Sequence, residues 1–336
     1  MKKIAFYDAK SYDRDSFESI LERSGGDYKM KYIESRLSPD SAILAKGCDA
    51  VCAFVNDEIT KETIDELYSL GIRIIAMRCA GYSNVDLKAA NQKIKIVRVP
   101  AYSPHAVAEH AAALLLALDR RLYKAYFRTR DFNFNIAGLC GTDLWGKTAG
   151  VVGTGKIGRC FIDICRGLGM KVLAYDPYPA PNCDIEYVSL DRLLRESDVI
   201  SLHCPLTEKN YRLLDSAAFA KMKRGVFIIN TSRGALIDSA ALLDALGDGR
   251  VRGAGLDVYE EEEDVFFEDH SELGIKDEVL ALLISKPNVL ITSHQAFLTE
   301  EALEGIAKTT VENLDAYFSG AELKNEVAAA REKIGV

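Results

Sequence analysis

The 336-residue sequence has little of what several functional classes require. Its eight cysteines include no CxxC pair and lie mostly in apolar stretches such as "RCFIDIC", which indicates reduced thiols rather than a disulfide framework or a metal site. The net charge of −8 disfavours nucleic acid or an anionic membrane as a partner. No apolar stretch is long enough to cross a bilayer, and Asp8 interrupts the N-terminal run before a signal-peptide core could form. We therefore expect a cytoplasmic protein.

One short segment departs from this acidic average. The stretch "RRLYKAYFRTR" at 120–130 places several cations beside an apolar helical pattern. A solvated or subunit-facing helix is the favoured interpretation, and nucleic-acid contact is the less favoured one.

Short β-rich runs alternate with helical periodicity along the whole chain. The length exceeds the size at which a single hydrophobic core usually stops growing, so two domains are expected. The nearly continuous hydrophobicity of each run favours α/β architecture, with parallel sheets covered on both faces. The predicted strands are "IAFYD", "AVCAFV", "IRIIAMRCA", "KIVRVP", "TAGVVG", "KVLAYD", "VISLHC", "VFIINTS", "GAGLDVY" and "NVLITSH".

A break in this pattern is expected near residue 100. Ser103 is a good N-cap and Pro104 suits a first helical position, so a long helix should begin there. Glu109 and His110 lie on this helix, and His110 is interpreted as a packed or interface residue rather than a ligand. One face of the helix should pack in the core through Val107, Ala111, Leu114, Leu115 and Leu118.

A glycine motif follows at 148–176. Gly153, Gly155 and Gly158 form G-x-G-x-x-G between an apolar strand and an amphipathic helix. The first glycine permits a tight turn, the second lets the backbone approach a pyrophosphate, and the third lets helix and strand pack closely. The unpaired N–H groups of the helix then face the phosphates. The segment predicts a dinucleotide site.

An acidic residue at the end of the next strand specifies the nucleotide. Asp176 can accept hydrogen bonds from the adenosine ribose hydroxyls, and a solvated turn residue before Pro177 is the weaker interpretation. The following "PYPAPNC" has no Lys or Arg to neutralise a 2′-phosphate. We predict NAD rather than NADP as the cofactor.

Three later strands end in polar residues that suit keto-acid reduction. An arginine such as Arg233 can hold a carboxylate with two parallel N–H donors, and a histidine such as His294 can donate a proton to a developing alkoxide. Asp257 lies at the third strand end, before an acidic run. An interdomain salt bridge, a core histidine and a solvated loop are alternatives for the three sites. Spacing alone leaves open which carboxylate of 260–263 faces His294.

The motifs together resemble the D-isomer-specific 2-hydroxyacid dehydrogenase family. The resemblance covers nearly the whole chain through "RCAGYSNVDL", "VRVPAYSPHAVAEHAA", "GKTAGVVGTGKIGR", "SDVISLHCPLT", "NTSRGALID", "LDVYEEEEDVFFED" and "NVLITSHQAFLTEEAL". It implies two doubly wound parallel-sheet domains, a Rossmann dinucleotide-binding domain at 101–297 and a flavodoxin-like substrate domain at 1–100 plus 298–336. Many relatives have proline where Ser293 stands.

The resemblance also implies the site residues. Arg233 would bind the substrate carboxylate, while Glu262 would hold and charge His294, which protonates the carbonyl oxygen. Asp257 would contact the nicotinamide. The implied cofactor site comprises Gly153, Gly155, Lys156, Ile157, Gly158, Asp176, Cys204, Pro205, Asn210, Thr231, Ser232, Arg233 and Asp257. The implied substrate-binding residues are Phe54, Ala80, Gly81, Tyr102, Arg233 and Phe297.

The motifs are most similar to the bacterial fermentative members, which implies pyruvate as the 2-keto acid and D-lactate as the product. A bulkier 2-keto acid such as phenylpyruvate or 2-ketoisocaproate is the alternative substrate. An NAD(H)-sensing regulatory protein is the alternative from a different class. Family members are commonly homodimers, so a homodimer is expected.

Overall fold

The computed structural model describes residues 1–25, 27–181, 183–262 and 265–328. The chain divides into two compact units, one formed by Met1–Ser103 with the chain from Leu298 onward and the other by Pro104–Phe297. Assignment of the first unit to the substrate and the second to the cofactor remains a prediction. No helix in these described ranges is long and apolar enough to span a membrane.

The first unit is built on a six-stranded sheet. Its strands are β1 (Lys2–Phe6), β2 (Tyr28–Tyr32), β3 (Ala50–Ala53), β4 (Ile74–Met77), β5 (Lys95–Arg98) and β12 (Glu326–Val327). The order is β12-β5-β4-β3-β1-β2, and every pairing is parallel except that of β12 with β5. Strands one to five thus follow the flavodoxin-like order 2-1-3-4-5. The helices are α1 (Ser11–Ser24), α2 (Lys61–Ser69), α3 (Leu87–Ala90) and α11 (Glu300–Ser319).

The two strands that were not predicted lie at the edges of this sheet. The sequence of β2 alternates lysine with larger residues and is only partly buried, so it lacks the continuous apolar run of a central strand. The two-residue strand β12 is too short to leave a pattern. The sheet is therefore mixed at one edge, where a wholly parallel sheet was expected.

The second unit carries an all-parallel six-stranded sheet. Its strands are β6 (Thr148–Val152), β7 (Lys171–Tyr175), β8 (Val199–Leu202), β9 (Val226–Asn230), β10 (Val251–Leu256) and β11 (Val289–Ile291). Their order is β11-β10-β9-β8-β6-β7. Beyond β7, a single parallel bridge joins Ala174 to Tyr187, so the third strand of the Rossmann order is reduced to one residue. The helices are α4 (Pro104–Asp119), α5 (Leu122–Arg130), α6 (Lys156–Gly167), α7 (Leu190–Glu196), α8 (Ser216–Lys221), α9 (Ser239–Gly247) and α10 (Glu278–Ser285).

Apolar layers cover both faces of this second sheet. The predicted face of α4 is buried and packs against α6 and β10. A Cβ on Gly255 of β10 would lie 3.0 Å from both Leu114 Cβ and Ile229 Cδ1, so the absence of a side chain lets the helix approach the strand closely. The architecture confirms the predicted Rossmann and flavodoxin-like pair of doubly wound domains.

Candidate active site

The glycine loop joins β6 to α6 in the second unit. Gly153 has a φ of 93°, and a Cβ there would lie 2.5 Å from the carbonyl oxygen of His203. A Cβ on Gly158 would lie 2.0 Å from the oxygen of Gly153, so both positions require glycine. A Cβ on Gly155 would meet nothing within 4 Å, and this N-cap makes no side-chain hydrogen bond to the helix. The loop thus fits a pyrophosphate at the start of α6, where Lys156 and Ile157 form the first turn.

Asp176 lies at the end of β7 and is held beside this loop. Its Oδ2 accepts hydrogen bonds from Thr154 N at 2.8 Å and Thr154 Oγ1 at 2.9 Å, while Oδ1 accepts from Tyr178 N at 2.9 Å. Partial burial alone would raise the pKa of Asp176, but these hydrogen bonds and the nearby Arg159 guanidinium outweigh it and hold the pKa below its ordinary value. An ionised acceptor therefore stands where the adenosine ribose should bind.

The loops after β8 and β9 are tied together by polar contacts. Asn210 closes the first loop by donating to Pro205 O at 2.8 Å. Ser232 Oγ, from the second loop, donates to Cys204 O at 3.1 Å. Thr231 Oγ1 is buried and has no hydrogen-bond partner among the described residues. The predicted cofactor residues of these loops thus lie together at the carboxyl ends of neighbouring strands.

Arg233 follows these residues with its side chain exposed to solvent. The carbonyl oxygen of Arg233 accepts a 2.9 Å hydrogen bond from Asn230 Nδ2, and its Nη1 donates to Ser232 O at 2.6 Å. A Cβ on Gly234 would lie 1.9 Å from the carbonyl oxygen of Tyr259, so only glycine lets the turn lie against this segment. The backbone is fixed while most guanidinium donors remain accessible to an anion.

His294 and Glu262 form a direct pair. The Nδ1 of His294 lies 2.7 Å from Glu262 Oε1, and the other carboxylate oxygen of Glu262 accepts from Tyr259 N at 2.8 Å. Both side chains are about one-fifth exposed, at 23% for His294 and 19% for Glu262. Because a carboxylate only accepts hydrogen bonds, Nδ1 carries a proton and Nε2 is left for a substrate.

The other carboxylates of the acidic run are placed differently. Glu260 accepts from Arg212 Nε at 2.7 Å and from Ser239 N at 3.4 Å, which commits it to a structural network. Glu261 makes no hydrogen bond or ion pair with His294, and Glu263 lies outside the described residues. Among the described carboxylates of this run, Glu262 is the one that contacts the histidine.

Asp257 lies at the end of β10, and its side chain is fully buried. Its predicted contact with the nicotinamide stays a prediction. Its Oδ1 accepts from Thr292 Oγ1 at 2.6 Å and Gln295 N at 2.9 Å, and Oδ2 accepts from Ala296 N at 2.8 Å. The Asp257 carbonyl oxygen also accepts from His294 N at 2.7 Å. Asp257 thus holds both sides of the turn that carries His294, a residue with a left-handed φ of 51°.

His110 is a site neighbour that the sequence interpretation missed. Its Nε2 lies 3.0 Å from Thr292 Oγ1 and 3.5 Å from Asp257 Oδ1. The helical pattern of α4 predicted that His110 is a packed residue, and it did not predict this contact. The one sequence feature that could have indicated the contact is the polar residue Thr292, which lies at a strand end two positions before His294.

The predicted substrate residues of the first unit follow two neighbouring strands. Phe54 follows β3 and is almost buried; its N donates to Asp57 Oδ2 at 2.6 Å, and its O accepts from Asn84 Nδ2 at 3.0 Å. Ala80 and Gly81 follow β4, and within the described ranges no hydrogen bond is donated by either amide. These two N–H groups are available to an anion.

A buried arginine supports Phe54. The Arg78 guanidinium lies 4.5 Å from the ring centre of Phe6 and 4.6 Å from that of Phe54. It also pairs with the buried Asp13 at 3.3 Å. Burial raises the pKa of Asp57 to about 6, against the lowering effects of Arg78 and two backbone amides. Phe54 is therefore held through hydrogen bonds of its backbone and through the contact of its ring with Arg78.

The remaining two predicted substrate residues lie, in the sequence, next to the points where the chain passes from one unit to the other. Tyr102 precedes α4 and belongs to the first unit, where its Cβ would be 3.7 Å from a Cβ on Gly305 of α11. Phe297 is buried and is the last residue of the second unit. Their predicted part in the substrate pocket stays a prediction.

Comparisons with known proteins identify relatives of this chain over nearly its whole length. The family model for the D-isomer specific 2-hydroxyacid dehydrogenase, NAD binding domain, matches residues 112–296. The D-lactate dehydrogenase of Escherichia coli (strain K12) is 50% identical over 329 residues, which cover 97% of this chain and 99% of that protein. The solved structure of Salmonella D-lactate dehydrogenase is 50% identical, with a TM-score of 0.86, covering 97% of this chain and 99% of that one.

A structure of the pyruvate reductase of Chlamydomonas reinhardtii is 43% identical, with a TM-score of 0.92, over 97% of this chain and 98% of that one. The predictions of an oxidoreductase and of NAD as its cofactor are confirmed. The chain belongs to the D-isomer-specific 2-hydroxyacid dehydrogenase family and is an NAD-dependent enzyme of that family.

Proposed function

We propose that the protein is a D-lactate dehydrogenase, which reduces pyruvate to D-lactate and catalyses the reverse oxidation. The observation that carries the proposal is the 2.7 Å contact between His294 and Glu262 in the unit that holds the glycine loop. The relatives named D-lactate dehydrogenase in E. coli and Salmonella support the choice of substrate. When bound, NADH supplies the hydride that reduces the carbonyl carbon.

His294 supplies the proton. With Nδ1 bound to Glu262, the imidazolium presents Nε2–H to the carbonyl oxygen as negative charge develops there. Glu262 stabilises the charged ring and fixes its rotation, because its second oxygen is held by the Tyr259 amide. In lactate oxidation, neutral Nε2 takes the hydroxyl proton. The pair is thus both acid and base.

Arg233 orients the substrate. Its guanidinium can bind the two carboxylate oxygens of pyruvate through parallel N–H donors, which fixes the direction of the carbonyl group. The hydrogen bond from Asn230 to the Arg233 carbonyl oxygen and the close approach at Gly234 keep the arginine backbone in place. Orientation of this kind supports hydride delivery to one face, the requirement for a single enantiomer.

Initial rates of NADH oxidation with pyruvate, phenylpyruvate and 2-ketoisocaproate test the proposal, together with the enantiomer formed from each. We expect a higher kcat/KM for pyruvate and D-lactate as product. A higher kcat/KM for phenylpyruvate or 2-ketoisocaproate would instead assign a bulkier substrate, since one methylene changes discrimination by only ~1–3 kcal/mol. Tight NADH binding with negligible turnover of all three acids would assign an NAD(H) sensor.

We also propose a homodimer, based on an exposed apolar surface in α5 and the segment that follows it. Its large side chains are more than half exposed: Leu122, Tyr126, Phe127, Phe132, Phe134, Ile136 and Trp145. Exposed apolar surface of this extent is typical of an interface. Light scattering should give twice the chain mass, and Ile136→Asp should give a monomer. The control Leu273→Asp, at another exposed leucine, should stay dimeric; a monomeric wild type would refute the proposal.

A cytoplasmic location is proposed on the state of the cysteines. All eight are free thiols, which suits a reducing compartment. Alkylation of denatured protein taken directly from cells without reductant should label every cysteine. A disulfide-linked pair in that sample would contradict the location.

A further inference from the structure

A cationic pocket lies on the second unit, away from the residues discussed so far. Its volume is about 220 Å³, and its polar lining includes Arg121, Tyr123, Lys124, Arg252 and Asn288. Part of its lining comes from the basic segment at 120–130, which has no role in the proposed dehydrogenase reaction.

The pocket lies at the opposite end of the sheet from the candidate active site. Phe227 and Gly253, which also line it, lie near the beginnings of β9 and β10, and Asn288 directly precedes β11. Arg233, Asp257 and His294 follow the carboxyl ends of these same parallel strands. A ligand in the pocket therefore binds apart from the nucleotide, since cofactors of such folds lie beyond the carboxyl ends.

The positive charge of the pocket is not neutralised by the described residues of its own chain. Within the described ranges, no carboxylate forms an ion pair with Arg121, Lys124 or Arg252. Burial, followed by repulsion from Arg121 and Arg128, lowers the pKa of Lys124. Cations brought together without a counter-charge favour an anionic ligand.

Of three cations in and immediately before α5, two line the pocket and the third makes other contacts. Arg121, Lys124 and Arg128 recur at helical spacing along one face of the segment. The Arg128 guanidinium donates to the carbonyl oxygens of Asn135 and Ala137 at 3.0 and 2.8 Å, so it holds the following loop. Arg121 donates one hydrogen bond to Gly138 O, and its other N–H groups remain available to a ligand.

The position of Arg252 completes the pocket from the sheet side. Its guanidinium lies 5.5 Å from the ring centre of Phe227, and its carbonyl oxygen accepts from Asn288 Nδ2 at 2.9 Å. Tyr123 is tied to the same edge through its hydroxyl, which donates to Pro287 O at 2.6 Å. These contacts link α5 to the sheet, so the three cations are carried by ordered elements rather than by a free loop.

We propose that this pocket binds a small multivalent oxyanion, a polycarboxylate or a phosphate, at a site separate from the nucleotide and the 2-keto acid. The two arginines supply planar N–H forks suited to carboxylate and phosphate oxygens, and the lysine supplies a further point charge. A monovalent anion such as chloride would leave most of the charge unpaired.

Calorimetric titration of the NADH-saturated protein with citrate, and separately with inorganic phosphate, tests the proposal. The ionic strength is held constant with chloride. We expect saturable binding of at least one anion, weakened about tenfold in each of Arg121→Gln, Lys124→Gln and Arg252→Gln, because each change removes a charge-assisted hydrogen bond. Binding of citrate alone would indicate a polycarboxylate ligand, and binding of phosphate alone a phosphate ligand.

Two controls make the outcome decisive. Arg130→Gln removes an exposed cation from the same helix outside the pocket and should leave the affinity unchanged. Arg233→Gln should also leave it unchanged, since the proposed site is not the active site. Loss of binding in Arg233→Gln with retention in the three pocket variants would overturn the proposal, as would the absence of binding by both anions. Thermal unfolding of each variant confirms that the protein is folded.

Discussion

The hydroxyl of Thr292 donates a 2.6 Å hydrogen bond to the buried carboxylate of Asp257, and this bond determines the proton position on His110. The hydroxyl has one proton, and it uses that proton in the hydrogen bond to the carboxylate. Its oxygen can therefore only accept a hydrogen bond from His110 Nε2, which lies 3.0 Å away, so Nε2 carries the proton. This series of hydrogen bonds runs from His110 of α4 through Thr292 to Asp257, and the Asp257 carboxylate also accepts from the amides of Gln295 and Ala296. The hydrogen-bond network holds the turn that carries His294.

Replacing Thr292 by Val should disturb this turn without removing any group that touches substrate. We expect kcat to fall about tenfold, because small displacements of a proton donor are costly and Asp257 loses a donor. The KM for NADH should change little. Thr292→Ser keeps the hydroxyl and should restore kcat. Equal kcat in Thr292→Val and wild type, measured at saturating NADH and pyruvate, would show that this hydrogen-bond network does not position His294.

Replacing Arg233 by Lys should separate charge from the bidentate geometry. The lysine keeps the positive charge but cannot offer two parallel donors. We expect the KM for pyruvate to rise about tenfold or more, since a hydrogen bond to a charged group contributes about 1.5–3 kcal/mol. The KM for NADH should stay within about twofold of wild type. Unchanged kcat/KM for pyruvate in steady-state assays would refute the carboxylate clamp.

Asp176 should set the preference for NADH over NADPH. Its ionised carboxylate can accept from ribose hydroxyls and repels a 2′-phosphate, and no Lys or Arg follows in 177–183. Asp176→Asn should lower the ratio of kcat/KM for NADH to that for NADPH by about tenfold. Thr154→Ser, which keeps the hydroxyl that contacts Asp176, is the matched control and should preserve the ratio. A wild type equally efficient with both cofactors would contradict the prediction outright.

Asp57 should make the stability of the protein depend on pH. Burial raises the pKa of Asp57 to about 6, whereas an unfolded aspartate titrates near ~3.9. Between these values the folded protein binds more protons than the unfolded chain, so the contribution of Asp57 to stability falls as pH rises through this window. Across the whole window, the contribution of Asp57 to the free energy of unfolding falls by about 3 kcal/mol.

Denaturation of wild type and Asp57→Asn over this pH range measures that contribution. Below about pH 6 the variant should be less stable, because the Asn side chain has one acceptor oxygen and cannot accept hydrogen bonds from both Phe54 N and Leu37 N. The free-energy difference between the two proteins should shrink as pH rises. Parallel curves would show that Asp57 has an ordinary pKa in the folded state.

Local features of the fold were predictable because local sequence determines them. The glycine loop needs Gly158 for its close approach to Gly153 and needs Gly153 for its left-handed φ, and Asp176 follows at the end of the adjacent strand. The ten predicted strands were continuous apolar runs that the sheets bury on both faces. Edge strand β2 was not predicted because it is only partly buried and has no continuous apolar run.

Long-range pairings were not predictable from spacing. Glu262 and His294 are separated by 32 positions, and only the tertiary fold selects Glu262 from its acidic neighbours; family resemblance supplied that choice in advance. Arg78 is a buried charge whose partner Asp13 is 65 positions away. His110 looked like one residue of a packed helix because its polar partner belongs to a distant strand end. The hydrogen bonds from Gln295 N and Ala296 N to the Asp257 carboxylate likewise span 38 and 39 positions, and spacing did not predict them.

The most direct test of the account is the rate of hydride transfer in His294→Ala, followed by stopped-flow loss of NADH absorbance after mixing with saturating pyruvate. Without the proton donor we predict a fall of about 10²–10⁴-fold, with NADH affinity preserved. Glu262→Gln should show a smaller fall, since the ring loses its carboxylate but keeps Nε2. A transfer rate in His294→Ala close to that of wild type would contradict the central claim that this histidine is the acid.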